Sequence, residues 1–299
     1  MSVPPPTSSP SPTSSPSSGP PASPPPAGPI VDRLRAAGCV FAEDEARLLS
    51  SAARTPAELA TMVERRAAGL PLEHVVGWAE FCGLRVAVDP GVFVPRPRTE
   101  FLVREAVALA GSPSVRAAGP RAATSAIVVV DLCCGSGAVA MALAAALGRV
   151  ELHAADIDPA AVRCARRNLA AGGGRVYEGD LDRPLPGGLR GRVDIMVANA
   201  PYVPTDKVRL LPAEARDHEP RAALDGGADG LDVLRRVAAV APRWLAPGGH
   251  VLAETSERQA TLLADAMAAA GLRPRASTSS VWDATVVVGT LPGGTAGAP

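Results

Sequence analysis

The sequence lacks several features that would assign it at once to a class of protein. Among its 299 residues, 30 Lys and Arg balance 30 Asp and Glu, so the formal net charge is zero. A neutral chain gives no electrostatic reason to expect direct binding of nucleic acid or of a membrane surface. No apolar run approaches the ~18 residues that a membrane span needs, and the N-terminus has no basic segment followed by an apolar core. We therefore expect a cytoplasmic protein.

Paired cysteines are also missing. The chain has five cysteines, an odd number, and none of them form a Cys-x-x-Cys motif. The neighbours Cys133 and Cys134 cannot easily ligate one tetrahedral metal ion together, so neither a disulfide framework nor a zinc site is expected. The four histidines show no metal-ligand spacing, and we interpret them as structural. The sequence therefore predicts a protein without a bound metal.

What the sequence does have is a change of composition along its length, which predicts five segments. Residues 1–29 are almost wholly Pro, Ser, Thr, Ala and Gly, and we expect a disordered tail there. Residues 30–70 have helical spacing and predict a small helical domain, in which Thr55 caps a helix over 56–68. The remaining segments are a β-hairpin linker (71–97), the main domain (98–290) and a flexible tail (291–299).

The linker alternates apolar and polar residues over 81–88, as a strand does. Asp-Pro-Gly at 89–91 predicts a turn, after which 92–94 would return as the partner strand of the hairpin. Thr99 is then placed to cap a helix over 100–110.

From residue 126 onwards, strand-like and helix-like segments alternate. Continuous β-branched runs such as 127–130 are typical of strands buried on both faces. Strands alternating with helices of about 10–14 residues form βαβ units and a mostly parallel sheet. The predicted fold class is α/β.

A glycine-rich loop follows the first of these strands and opens a helix. Its glycines allow a tight turn and the close approach of a ligand. The loop is not a full dinucleotide fingerprint, since Cys133 stands at the first glycine position and no third spaced glycine follows for a pyrophosphate. It better suits an adenosyl ligand without phosphate. The candidate cofactor-binding residues in it are Asp131, Cys133, Cys134, Gly135, Ser136 and Gly137.

Acidic residues follow the next two strands. Asp156-Ile157 lies nineteen residues past the loop, where a carboxylate can accept hydrogen bonds from ribose hydroxyls. We expect Asp158 to cap the following helix. Asp180 could accept the amino group of an adenine while Leu181 packs on its ring. Asp156, Ile157, Asp180 and Leu181 are therefore further candidate cofactor-binding residues.

The turn Asn199-Ala200-Pro201-Tyr202 follows a buried strand. Pro201 cannot continue the strand and stiffens the turn. An amide, a backbone carbonyl and an aromatic ring leave the carboxyl end of a strand, which is where open α/β sheets bind ligands. These acceptors suit a planar group carrying an NH2, so the four residues are candidate catalytic residues. Asn199 is also a candidate cofactor contact.

In this order, the four motifs predict a class I S-adenosylmethionine-dependent methyltransferase that modifies a planar nitrogen. Three further stretches carry a family resemblance: the linker over 71–84, Pro-Arg-x-x-Thr-Glu at 95–100, and Glu-Pro-x-x-Ala-Leu-x-Gly-Gly-x-Asp-Gly-Leu at 219–231. With the turn, they resemble the HemK-type protein-(glutamine-N5) methyltransferases over roughly 70–290. The family's turn is usually Asn-Pro-Pro-Tyr and its loop begins with glycine; Ala200 and Cys133 stand at those positions here.

The resemblance implies a Rossmann-like class I methyltransferase fold, with a seven-stranded, mostly parallel sheet, a small N-terminal helical domain and a hairpin linker. It implies S-adenosylmethionine as cofactor and, as substrate, the Gly-Gly-Gln glutamine of a peptide chain release factor. Two other hypotheses stay open. A nucleic-acid amino methyltransferase of the adenine N6 type would need a flipped base and a basic approach surface. A non-catalytic paralogue would bind S-adenosylmethionine without turnover.

Overall fold

The computed structural model describes residues 27–111 and 126–293. The predicted disordered tail lies outside this part of the chain except for its last three residues, which begin a helix at Ala27. The predicted C-terminal tail lies outside it from residue 294 onwards. Within the described ranges, no helix combines the length and the apolar character that crossing a bilayer requires.

The N-terminal part consists of short helices around a small apolar core. Thr55 caps the third helix as predicted, because its hydroxyl accepts the backbone N–H of Glu58 at 3.1 Å. The buried Arg66 joins these helices to the main domain: its guanidinium lies 2.6 Å from Glu45 of the second helix and 2.7 Å from Glu214. The helices are α1 (Ala27–Ala36), α2 (Ala42–Ala52), α3 (Pro56–Ala67) and α4 (Leu72–Val76).

The hairpin linker differs from the prediction. Strand β1 (Trp78–Phe81) pairs antiparallel with β2 (Leu84–Ala87), and the two-residue turn between them is Cys82-Gly83. Both turn residues have positive φ, 51° and 70°, which matches the right-handed twist of a tight hairpin. The prediction that 92–94 forms the partner strand was wrong. Asp-Pro-Gly at 89–91 gives the stronger turn signal in the sequence, and a cysteine gives no signal for a left-handed backbone.

A seven-stranded sheet forms the centre of the main domain. Its spatial order is β5-β4-β3-β6-β7-β9-β8, with β9 antiparallel to both of its neighbours and the other pairs parallel. The order reverses between β3 and β6, the position where such sheets bind ligands. The strands are β3 (Ile127–Leu132), β4 (Val150–Asp156), β5 (Arg175–Glu178), β6 (Val193–Ala198), β7 (Leu245–Thr255), β8 (Arg273–Ser279) and β9 (Ala284–Thr290).

Helices cover both faces of the sheet. On β6, Ile195 and Val197 belong to the core beneath α5, α6 and α7, whereas Met196 and Ala198 belong to the core beneath α9 and α10. This alternation explains why the strand is apolar without a break from Ile195 to Ala198. These helices and the short α8 have the bounds α5 (Glu100–Ala110), α6 (Ala138–Leu147), α7 (Pro159–Leu169), α8 (Ala213–His218), α9 (Asp232–Trp244) and α10 (Glu257–Ala269).

This architecture confirms the predicted α/β class and the mostly parallel seven-stranded sheet. The parallel strands place their carboxyl ends at one edge, since Leu132 lies beside Ala155 on one side and Ala198 on the other. The segments that follow β3, β4, β5 and β6 therefore meet there, and these are the segments that carry the four motifs.

Candidate active site

A cavity of about 340 Å³ lies at this edge of the sheet. It brings together most of the predicted site, whereas Gly137, Ala200 and Tyr202 are not among its lining residues. The predicted residues that line it are Asp131, Cys133, Cys134, Gly135, Ser136, Asp156, Ile157, Asp180, Leu181, Asn199 and Pro201. Further lining residues, which the sequence did not predict as site residues, come from the linker, from Thr99 before α5, from the segment after the turn and from α9. Among them are Phe93, Pro95, Pro220, Ala222 and Arg236.

The glycine-rich loop begins with a left-handed residue. Cys133 has a φ of 55°, a conformation that glycine adopts at no steric cost and other residues seldom adopt. The cysteine thus takes the backbone shape that the family's glycine would favour. The loop is then fixed to the neighbouring strand, because the N–H of Cys134 donates to the carbonyl of Ala155 at 3.1 Å.

Asp156 fixes the same loop from the end of β4. One carboxylate oxygen accepts the N–H of Gly135 at 2.8 Å, and the other accepts the N–H of Asp158 at 2.9 Å. Burial raises the pKa of Asp156, and these two hydrogen bonds oppose that rise. Asp158 caps α7 as predicted, since its side chain accepts the N–H of Ala160 at 2.8 Å. The two acids therefore have separate local roles.

Gly137 lies where two helices pack together. A Cβ added to it would lie 3.2 Å from the Cβ of Ala165 in α7, whereas a Cβ on Gly135 would meet no described atom within 4 Å. Both glycines have positive φ, 78° and 55°. Gly137 thus permits close packing of α6 on α7, and Gly135 leaves open space beside the cavity.

These two glycines give a matched pair of substitutions. Both alanine variants carry the backbone strain of a left-handed residue, about 1–2 kcal/mol. We expect Gly137→Ala to lose a further ~1–3 kcal/mol of unfolding free energy through overpacking. Gly135→Ala should instead weaken cofactor binding about tenfold or more, because its methyl group occupies space that a ligand would use. Thermal denaturation and calorimetric titration separate the two; equal losses of stability would contradict the assignment.

Asp131 is a buried acid on the cavity wall. Only 2% of its surface is exposed, and one oxygen accepts the N–H of Ala140 at 3.1 Å. Burial, with a smaller contribution from the charge of Asp156, raises the pKa of Asp131 to about 8. Among the described residues that line the cavity, five are aspartates and one is an arginine: Asp131, Asp156, Asp158, Asp180, Asp225 and Arg236. This excess of acid favours a cation, and S-adenosylmethionine, which carries a sulfonium charge and no phosphate, fits these residues.

The raised pKa of Asp131 predicts a pH dependence. Only the ionised carboxyl attracts a cation, so affinity for S-adenosylmethionine should rise with pH up to about 8, by at most about tenfold per pH unit. In the free protein, the folded state holds a proton between about pH 4 and 8 that the unfolded chain has lost, so stability falls as pH rises through this window.

Asp131→Asn should remove both effects. Dissociation constants are measured for both proteins by calorimetric titration from pH 6.5 to 8.5. Because the ligand titrates equally in both experiments, the ratio of the variant's dissociation constant to that of the wild type reports the contribution of the Asp131 carboxyl alone. We expect that ratio to grow several-fold across the range, and the melting temperature of the ligand-free variant to exceed that of the wild type at pH 9. A constant ratio would show that Asp131 stays in one protonation state.

The turn after β6 is held by its neighbours on three sides. The amide nitrogen of Asn199 donates to the hydroxyl of Thr99 at 3.2 Å. Ala200 is buried, with 2% of its surface exposed. The hydroxyl of Tyr202 donates to Glu254 on β7 at 3.1 Å, and burial raises the pKa of Tyr202. The structure therefore places the Asn199 end of the turn on the cavity and the Tyr202 end against β7.

Glycines in the segment after the turn let its backbone pass close to the backbone of the turn. A Cβ added to Gly226 would lie 2.6 Å from the carbonyl oxygen of Pro201, and one added to Gly230 would lie 2.3 Å from that of Tyr202. The side-chain amide of Gln259 donates to the same Tyr202 carbonyl at 2.9 Å. Only glycine fits at these two positions, which accounts for Gly226 and Gly230 in the Gly-Gly-x-Asp-Gly pattern.

The family-like stretch at 95–100 contacts both of the others, 219–231 and the linker over 71–84. Arg96 places one guanidinium nitrogen 2.7 Å from both oxygens of Glu219, whose side chain is fully buried. The Glu100 carboxylate accepts the N–H of Cys82 in the hairpin turn at 2.9 Å. The expectation that Thr99 caps α5 was wrong, because its backbone is already helical, with φ −67°, and its side chain makes no cap hydrogen bond.

Arginines form a groove beside the cavity. Arg236 lines both and lies 2.7 Å from each oxygen of Asp180. The groove, of about 460 Å³, is lined by four arginines (Arg183, Arg190, Arg236 and Arg243), by Asp182, by Trp244 and by three aliphatic residues. A zero net charge therefore hides a local basic surface, which the sequence analysis did not find.

Comparisons with known proteins match this chain to methyltransferases. Residues 121–216 match the model of the methyltransferase small domain. Release factor glutamine methyltransferase of Geobacter sulfurreducens is 41% identical over 210 residues, covering 69% of this chain and 68% of that protein. Its namesake in Mycolicibacterium smegmatis is 40% identical over 233 residues, covering 76% and 78%. The 4-amino-L-phenylalanine/4-methylamino-L-phenylalanine methyltransferase of Streptomyces pristinaespiralis is 40% identical over 197 residues, covering 66% and 65%.

Proposed function

Because the chain belongs to the family of release factor glutamine methyltransferases, we propose that it methylates the side-chain nitrogen of a glutamine in a protein, using S-adenosylmethionine. The proposed substrate is the Gly-Gly-Gln glutamine of a peptide chain release factor, which would place the enzyme in translation termination. One observation carries this proposal: Asn199, at the start of the turn, lines the same cavity as Asp131 and Asp156. A planar amide held at the turn would then meet the cofactor's methyl group.

The cofactor is assigned to the acidic half of the cavity. Asp156 would accept hydrogen bonds from the ribose hydroxyls with the lone pairs that Gly135 and Asp158 leave free. Asp180, oriented by Arg236, would accept from the adenine amino group, with Leu181 on the ring. Asp131 would face the cationic part of the ligand. When bound, S-adenosylmethionine supplies an electrophilic methyl group on a positively charged sulfur.

The substrate amide is assigned to the turn. An amide nitrogen is a poor nucleophile because its lone pair is delocalised, so the protein's task is to hold it in line and to favour charge on it. The Asn199 side-chain oxygen and the Ala200 carbonyl would accept hydrogen bonds from the two N–H groups of the amide. These hydrogen bonds would both hold the nitrogen in line and favour charge on it. The nitrogen can lose its proton after transfer, so no strong general base is needed. Tyr202 would support the turn from the side of β7, through its hydrogen bond to Glu254.

Ala200 is compatible with this mechanism. The interaction uses the backbone carbonyl of residue 200, which alanine and proline share. Proline would only restrict the backbone further, and the burial of Ala200 and the hydrogen bond from Gln259 to the Tyr202 carbonyl supply restraint of another kind.

A second candidate is a nucleic-acid amino group. The observation in its favour is the groove of four arginines next to the cavity, since phosphate backbones are bound by such surfaces. Asp180 and Asp182 pair with three of these arginines, Arg183, Arg236 and Arg243, which reduces the local positive charge.

A radiolabelled methyl-transfer assay tests the proposal. The protein is mixed with labelled S-adenosylmethionine and, separately, with its host's release factors, transfer RNA, DNA and 4-amino-L-phenylalanine. We expect label on a release factor, lost when the glutamine of its Gly-Gly-Gln is replaced by alanine. Label confined to nucleic acid or to the aromatic amine would replace the proposal with that acceptor. Ligand binding without label on any of the four would contradict it.

A further inference from the structure

The orientation of the Asn199 amide decides what the turn offers to a substrate. A side-chain amide has nearly the same shape when its oxygen and nitrogen are exchanged, but one end accepts hydrogen bonds and the other donates them. In the structure the nitrogen donates to the hydroxyl of Thr99 at 3.2 Å. Thr99 has only 1% of its surface exposed and lies on the cavity wall, so this partner is held firmly in place.

The direction of that hydrogen bond determines which end of the Asn199 amide stays available. A threonine hydroxyl can donate and accept at once, and here it accepts the side-chain N–H of Asn199. The amide nitrogen is therefore the end that faces Thr99, and the side-chain oxygen of Asn199 is the end that is not used by this contact.

Glu254 holds the other end of the turn. Its carboxylate accepts the hydroxyl of Tyr202 at 3.1 Å, and only 2% of its surface is exposed. It stands on β7, which pairs with β6 next to the turn. The first residue of the turn is therefore held by Thr99 and the last by β7 before any substrate arrives, which is the condition for preorganised catalysis.

We propose that Thr99 is a positioning residue, whose hydroxyl fixes the Asn199 amide so that its oxygen stays free to accept a hydrogen bond from the substrate. The inference rests on the proposed function, in which that oxygen binds the substrate amide. Without the hydroxyl, the amide can turn over and present its NH2 to the NH2 of the substrate, two donors that repel each other. Thr99 touches neither reacting atom and acts through Asn199.

Kinetics with three variants tests this role. Thr99→Val keeps the shape of the side chain and should lower kcat roughly five- to tenfold, the effect of one ordinary hydrogen bond, with KM for S-adenosylmethionine within about twofold of wild type. Thr99→Ser should restore kcat. Thr290→Val is the matched control, because it also removes a hydroxyl that pairs with a side chain, that of His250 at 2.9 Å, at the opposite edge of the sheet. It should leave kcat unchanged.

A measurement on Asn199 itself separates this inference from the proposed function. The side-chain NH2 signal of Asn199 in an ¹⁵N–¹H spectrum is assigned by its absence in Asn199→Ala. Its hydrogens should exchange slowly with solvent in wild type and Thr99→Ser, and faster in Thr99→Val. This test needs no methyl acceptor, so failure to methylate glutamine would overturn the proposed function alone. The inference would be overturned if Thr99→Val changed neither the exchange of the Asn199 hydrogens nor kcat. Equal losses of kcat in Thr99→Val and Thr290→Val would also overturn it.

Discussion

Replacing Asn199 with alanine should lower kcat for methyl transfer by about 10²–10³, the usual effect of removing one positioned hydrogen-bonding group from a transition state. The side chain lines the cavity and is held by Thr99, so its oxygen is already oriented when the substrate arrives. Affinity for S-adenosylmethionine should stay within a few-fold of wild type, because the acidic residues of the cavity remain. Steady-state kinetics and calorimetric titration measure the two quantities.

Asn199→Asp is the control for the shape of the site. It keeps acceptor oxygens but loses the NH2 that donates to Thr99, so its kcat should fall between those of wild type and Asn199→Ala. A drop of less than tenfold in Asn199→Ala would contradict the assignment of this residue. A matching loss of cofactor affinity would show instead that the variant disturbs the whole cavity.

Replacing Asp156 with alanine should weaken binding of S-adenosylmethionine by about 10² or more. The carboxylate accepts the N–H of Gly135 and that of Asp158, and hydrogen bonds to a charged group are worth about 1.5–3 kcal/mol each. The substitution therefore removes the assigned ribose partner and releases the glycine-rich loop from β4 at the same time. Calorimetric titration gives the dissociation constant directly.

Asp158→Ala is the comparison for this variant. Its carboxylate caps α7, so the loss should be mainly one of stability, about 1 kcal/mol, and its effect on the dissociation constant should be smaller than that of Asp156→Ala. If both variants weakened binding equally, the neighbouring acids would share the ligand and the assignment of separate roles would be wrong.

The sheet and the order of the motifs were predictable because they depend on local patterns. Apolar runs such as 195–198 and 127–130 signal buried strands at any position in a chain. The edge strand β8 (Arg273–Ser279) was not predicted, because most of its residues are exposed and a strand at the edge of a sheet needs little apolar pattern. The hairpin was misplaced because Asp-Pro-Gly at 89–91 is a stronger turn signal than Cys82-Gly83.

The contacts that orient the site were not predictable. Thr99 and Asn199 are 100 residues apart, and Gln259 lies 57 residues from Tyr202. The sequence around Thr99 fits a helix cap equally well. Nothing in it indicates that the hydroxyl instead accepts a hydrogen bond from the amide of Asn199. The paired glycines at 226 and 230 were visible as a motif, but their reason, the close passage of two carbonyls, appears only when the segments meet.

The cavity has two halves that are built by different parts of the sheet. Asp156 and Gly135 hold each other on the β3–β4 side, whereas Thr99 and Asn199 hold each other beside β6. Substitutions in one half can therefore accumulate without dismantling the other. In such a site the methyl acceptor can change during evolution while the cofactor stays the same. A library of variants confined to the linker, the turn and the segment over 219–231 is therefore the natural starting point for changing the acceptor in the laboratory.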